Sequence, residues 1–132
     1  MAKKKYTKLD NPDFRSEQLA TALEAQDVAA VAFALRNDKV IVPLLDVEGP
    51  AQIRVFKRDD SDSYMLLLFS SAANYVAMLP NETGHRVLPY KAAELTEFLA
   101  TNMGVLEAVW FDVAGPHPMQ AAPGDILAAL RL

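Results

Sequence analysis

The chain contains two histidines, His85 and His117, and no cysteine. An imidazole beside a carboxylate is a common source of general-base chemistry or of a pH-sensitive binding pair. Asp112 precedes His117 across a Gly115-Pro116 turn, a spacing that lets the two side chains meet but matches no metal-ligand pattern. Ser70 and Ser71 follow an apolar run, as a hydrolase nucleophile does. The glycines of a G-x-S-x-G elbow are absent, however: Leu68 and Ala72 flank Ser70, and Phe69 and Ala73 flank Ser71. Capping a helix is therefore the expected role of one of these serines, because a short hydroxyl satisfies the N–H groups left open at a helix start. Asp59, Asp60 and Asp62 supply hard oxygens suited to Ca²⁺. They lack the glycine turn and distal glutamate of an EF-hand loop, so a solvated loop is expected. Without cysteine there is no thiolate nucleophile, disulfide framework or cysteine-based metal site. No cofactor, metal or catalytic residue is expected.

These groups depend on the elements that carry them. Residues 64–79, YMLLLFSSAANYVAML, run without polar alternation from Met65 to Phe69 and then pass through the serines into a helical pattern bearing Ala72, Tyr75, Val76 and Leu79. A strand covered on both faces, feeding a helix, is expected there. Upstream, Ser16 and Glu17 signal a helix with Leu19, Ala22 and Leu23 on one face. The apolar phase slips at Gln26-Asp27, predicting a second helix capped by Asp27 and lined by Val28, Val31, Ala32 and Leu35. Residues 40–45 read as a strand that Pro43 confines to an edge or bulge. Ile53 and Val55 alternate with polar neighbours as its hairpin partner. Val87-Leu88 is a short strand, and Ala92, Leu95, Phe98 and Leu99 share a helix face, with Gly104 where a helix-ending glycine belongs. Residues 108–113 form a strand, Met119 lies in its partner, and Pro123-Gly124-Asp125 opens a last helix with Ile126, Leu127 and Leu130 inward. Tyr75, Tyr90, Phe98, Trp110 and Phe111 read as core or half-core, with Trp110 and Phe111 on opposite faces of their strand.

At 132 residues the chain accommodates one domain, and 52% hydrophobic with 23% charged residues is ordinary globular usage. The first eight residues carry four lysines and no acid, leaving nine Lys/Arg against seventeen Asp/Glu in the remainder. An acidic body with a short basic start is a poor match to nucleic acid, and no stretch is long enough to span a bilayer. The basic start lacks the apolar segment of a signal peptide, so a cytoplasmic location is expected. Residues 1–15 are expected to form a mobile basic tail, and residues 16–132 a single layered α/β (α+β) domain with a mixed sheet of about five to six strands.

The order helix, strand with Val42-Pro43, strand, apolar strand ending Phe69-Ser70-Ser71, helix, strand, helix, hairpin and closing Pro-Gly-Asp-Ile helix resembles the SseB N-terminal-domain family, the bacterial enhanced serine sensitivity family. The family's Phe-Thr-Ser block matches Phe69-Ser70-Ser71 with one exchange. Its Asn-Pro-Gly turn corresponds to Asp112-Val113-Ala114-Gly115, a departure from the pattern. The resemblance implies an α/β domain and carries over no catalytic residues. Three functions are open. The first is a non-enzymatic module that binds another protein, or a second copy of itself, through an exposed patch or the Pro43 edge. The second is a ligand site at the strand ends near Ser71, Asn74, Asp112 and His117. The third is an enzyme using Asp112 and His117, which requires a pocket that joins them.

Overall fold

Capping chemistry sets the start of the fold. The computed structural model describes residues 14–132, and the basic segment before them lies outside the described residues. Ser16 accepts the Leu19 N–H at 3.2 Å and donates its own O–H to Asp38 at 2.6 Å, which opens helix α1 (Glu17–Ala25). Gln26 closes the helix in the left-handed region at φ 54°, and Asp27 at once caps α2 (Val28–Asn37) by accepting the Ala30 N–H. The slip of apolar phase thus marks a real break between two helices. Leu19, Ala22, Leu23, Val31, Ala34 and Leu35 face inward from the pair.

Six strands follow: β1 (Val40–Leu44), β2 (Phe56–Lys57), β3 (Tyr64–Leu68), β4 (Arg86–Tyr90), β5 (Leu106–Phe111) and β6 (Met119–Ala121). Helix α3 (Ala72–Met78) and helix α4 (Ala92–Asn102) lie between β3 and β5, and α5 (Pro123–Leu130) closes the chain. The long crossover between β3 and β5 lets them pair in parallel, while β2 and β6 flank them antiparallel in the order β2-β3-β5-β6. The strands are therefore mixed in direction, as expected. They divide into this four-stranded sheet and a two-stranded β1-β4 ribbon. Two backbone bonds between Ile41 and Phe69, at 2.9 and 3.0 Å, join the ribbon to the end of β3.

The unbroken apolar run now has a cause. Leu66 and Leu68 enter a large cluster built with α1, α2, α4 and α5, whereas Leu67 and Phe69 enter a smaller one with Ile41, Ala72, Tyr75 and Val87. Alternate residues of a strand point to opposite faces, so covering both faces requires apolar residues at every position. Phe111 is fully buried in the large cluster and its neighbour Trp110 is half-buried against the small one, the opposite-face arrangement expected for adjacent residues. Helix α4 begins where Glu94 reaches back to accept the Lys91 N–H at 2.9 Å. Gly104 follows its cap without entering the left-handed region, so the glycine there serves no conformational need.

The expectation for Pro43 is corrected. All five residues of β1 are buried, and the strand has neighbours on both sides rather than an open edge. Ile41 directs its backbone groups to Phe69, and Pro43 O and Leu45 N bond Arg54 N and Gln52 O at 2.8 Å. The side of the proline that lacks a donor therefore faces the irregular stretch 52–54, and the ladder to β4 is intact. That stretch forms a single bridge, Leu44 to Ile53, in place of the continuous hairpin strand predicted for residues 53–55. Among the described residues no helix is long and apolar enough to cross a membrane.

Leu68 has no exposed surface and packs into the large cluster. Leu68→Ala is expected to lower the unfolding free energy in a urea titration by about 3 kcal/mol. A loss below about 1 kcal/mol would mean that the surrounding side chains close the gap, contrary to the packing described.

Candidate functional site

Because β3 and β5 are parallel, the residues that follow both strands emerge at the same edge of the sheet. Those residues are Ser70-Ser71 and Asp112. The Asp112 N–H donates to Leu68 O at 2.9 Å, extending the β3–β5 pairing by one residue, and the backbone then turns through φ 46°. Left-handed conformation suits the short polar side chain of an aspartate better than that of most residues. The turn aims the carboxylate back at β3. Oδ1 accepts the Ser70 N–H at 2.8 Å and Oδ2 accepts the Ser70 O–H at 2.6 Å. Both residues are buried, Ser70 at 1% and Asp112 at 5% exposure. Asp112 O also accepts the Gly115 N–H at 2.8 Å, closing the turn that stands in place of an Asn-Pro-Gly sequence.

The start of the domain is tied to the same point. The Ser16 N–H donates to Ser70 O at 2.7 Å, Arg15 bridges Ser71, and the Ala72 N–H reaches Phe14 O at 3.3 Å. A cavity of about 220 Å³ opens between this edge, helix α1 and the loop after β5. Asp112, Ser70 and Asn74 line it together with Arg15, Glu24 and His117, and Ala20, Leu23 and Pro116 supply its apolar surface. Arg15 is engaged outward with Glu17 at 2.9 Å.

Of the residues singled out from sequence, Asn74, Asp112 and His117 converge on this cavity. Ser71 does not line it: its hydroxyl accepts the Asn74 N–H at 3.2 Å and caps α3. The neighbouring Ser70 occupies the place assigned to it. No hydrogen bond joins Asp112 to His117 among the described residues, so they share a pocket without forming a pair. Arg15 and Glu24 were not anticipated. The signal for Ser70 was present in two apolar strands separated by a crossover long enough to enforce parallel pairing, each followed by a polar residue. Nothing in the sequence signalled Arg15, whose position depends on where the first described residues cross the end of β3.

A family model for the SseB protein N-terminal domain matches residues 16–128. The chain belongs to this family. The match begins at the residue that caps α1 and ends inside α5, so the SseB domain includes every strand among the described residues and all of the cavity lining except Arg15. No curated protein matches the chain.

A second polar group in this SseB domain joins α3 to the stretch that follows β1. Arg54 forms a two-pronged contact with Glu82 at 2.9 and 3.0 Å and donates to the Tyr75 hydroxyl at 3.1 Å. The Tyr75 ring meets His85 edge-on at 5.5 Å, and His85 Nε2 lies 2.7 Å from Leu79 O. Hydrogen bonding to Arg54 holds the Glu82 carboxyl below its ordinary range, and burial pushes the Tyr75 hydroxyl up. These contacts tie α3 and the segment after it to the 52–57 stretch, a structural role for His85. Asp59, Asp60 and Asp62 stay apart from any convergent ligand set among the described residues. Ser61 and Arg58 of that loop bind Glu107 on β5 at 2.7 and 2.9 Å instead.

Two outcomes are expected from these contacts. Ser70→Ala removes a hydrogen bond to a charged group and should cost about 2 kcal/mol. In an Asp112→Asn background the same change should cost clearly less, and purely additive losses in urea titrations would disprove the clasp. The second concerns pH. The Glu82 pKa is lowered in the folded state, so its contribution is complete above the unfolded glutamate value, about 4.3, and disappears as pH falls through the lower folded value. Glu82→Gln should therefore flatten the acid limb of the stability curve, while an unchanged limb would assign the acid sensitivity elsewhere.

Proposed function

We propose that this SseB domain is a non-enzymatic recognition module whose binding site is the cavity at the carboxyl ends of β3 and β5. The observation that carries the reading is Asp112: a buried carboxylate fixed by Ser70 at the floor of an open polar pocket. Open α/β sheets bind ligands beyond the carboxyl ends of their strands, and the cavity occupies that place. Ser70 is 1% exposed and gives both its N–H and its O–H to the one carboxylate, which favours a positioning role over nucleophilic attack.

A second reading, docking of a partner protein, rests on a different feature. A groove of about 420 Å³ on the small-cluster side of the sheet is lined by Phe56, Met65, Leu67, Met78, Leu79 and Trp110, an apolar surface suited to a partner side chain. Docking at the Pro43 strand finds less support, since β1 is bonded on both sides.

Ligand-observed NMR with a library of small polar compounds tests the first reading against the second. Ala20→Phe places a ring in the cavity mouth and should abolish binding of the hits, with amide shifts in the parent protein centred on Ser70, Asn74 and His117. Hits that persist in this variant and shift Trp110 instead would reject the pocket and favour the groove.

A further inference from the structure

The chemistry of the cavity wall narrows the class of ligand, provided that the pocket is the recognition site proposed above. A carboxylate has about four acceptor positions, two on each oxygen. Ser70 uses one on each oxygen of Asp112, leaving one apiece. Asn74, also in the cavity wall, spends one Nδ2 hydrogen on Ser70 Oγ at 3.4 Å and keeps a second Nδ2 hydrogen and its side-chain carbonyl. Glu24 adds an exposed carboxylate at the rim. The two carboxylates and the Asn74 carbonyl give the wall more acceptor positions than donors, the remaining side-chain donors being Asn74 Nδ2, a His117 ring N–H and the Arg15 guanidinium. Its guanidinium, Arg15, is already paired with Glu17. An anion entering here would approach the Asp112 carboxylate, which is 5% exposed and therefore less screened by solvent than a surface charge. A cation with several N–H donors meets the opposite conditions.

Shape adds a second restriction. The cavity holds about 220 Å³, and Ala20, Leu23 and Pro116 line part of it. That surface suits a short methylene chain. We propose that the pocket binds a primary alkylammonium group: the –NH₃⁺ donates to Asp112, Asn74 and Glu24 while the alkyl stem lies along Ala20, Leu23 and Pro116. The two hydrogen bonds from Ser70 hold Asp112 in place before the ligand arrives, so little ordering is required on binding. A free amine and the side chain of a lysine in a partner protein present the same chemistry.

The test is titration of the ¹⁵N-labelled chain with n-butylammonium, n-butyrate and 1-butanol, three probes of nearly equal size and different charge. Butylammonium should shift the amides of Ser70, Asn74 and His117 and bind at least about tenfold tighter than either other probe, the scale of one charge-assisted contact. Asp112→Asn should remove that preference. If this variant loses its dispersed spectrum, Glu24→Gln at the exposed rim serves instead and should weaken butylammonium binding alone, by about threefold. Butyrate or butanol binding as tightly as butylammonium would overturn the ammonium assignment and leave the pocket reading standing. Failure of all three probes would overturn the assignment as well, and only the wider library with Ala20→Phe would then decide the pocket itself. A blocked lysine tripeptide separates the sources. Binding equal to that of butylammonium points to a lysine side chain, and binding of butylammonium alone points to a free amine.

Discussion

A single carboxylate organises the edge of the sheet at which β3 and β5 end. Asp112 continues the pairing of β5 with β3 through its backbone and then, from a left-handed turn, takes both the N–H and the O–H of Ser70. Three separate parts of the chain meet at that serine. Ser16 donates to its carbonyl, its hydroxyl and amide hold Asp112, and Asn74 on α3 reaches its oxygen. The burial of a charged group is costly unless hydrogen bonds compensate, and two short bonds to one residue do so without a cation. The same clasp leaves about half of the carboxylate's acceptor positions unused, and Asp112 lines the cavity at the strand ends.

The clasp depends in turn on the double burial of β3. Only a strand covered on both faces can lie between β2 and β5 with helices on one side and a second cluster on the other. This arrangement fixes β3 and β5 in register, Leu68 opposite Phe111, and therefore fixes the residues one step beyond them. The ends of a rigid parallel pair are better suited than a free loop to holding a polar constellation. Exposed Glu24, Arg15 and His117, by contrast, line the cavity from the helix and loop side.

Arg54, Tyr75 and Glu82 do comparable work for α3 and the stretch 52–57. A guanidinium fork holds two segments that share no regular ladder, and the Arg54 guanidinium also lies over the Phe56 ring at 4.8 Å. This network explains how the irregular stretch 52–57 keeps its place. It also accounts for Pro43 in a buried strand, because the missing donor faces that stretch, where the bonding is already incomplete.

The sequence by itself determined the elements. Capping residues placed the starts of α1, α2 and α3, and the apolar run from Met65 to Phe69 identified a strand with no wet face. Proline and glycine-aspartate placed α5. These features are legible because caps and hydrophobic period depend on neighbours within a few residues. Asn74, Asp112 and His117 were legible as a group for the same reason: each lies just past or beside a strand end. Only the tertiary structure decided which serine serves the site, that Arg15 and Glu24 join it, and that the Pro43 strand is enclosed rather than at an edge. Those outcomes depend on strand order and register between segments some forty residues apart, and a shift of one residue exchanges the two faces of a strand. Ser70 and Ser71 are equivalent to any local rule. The register of β3 against β5 turns one toward the carboxylate and leaves the other to cap a helix.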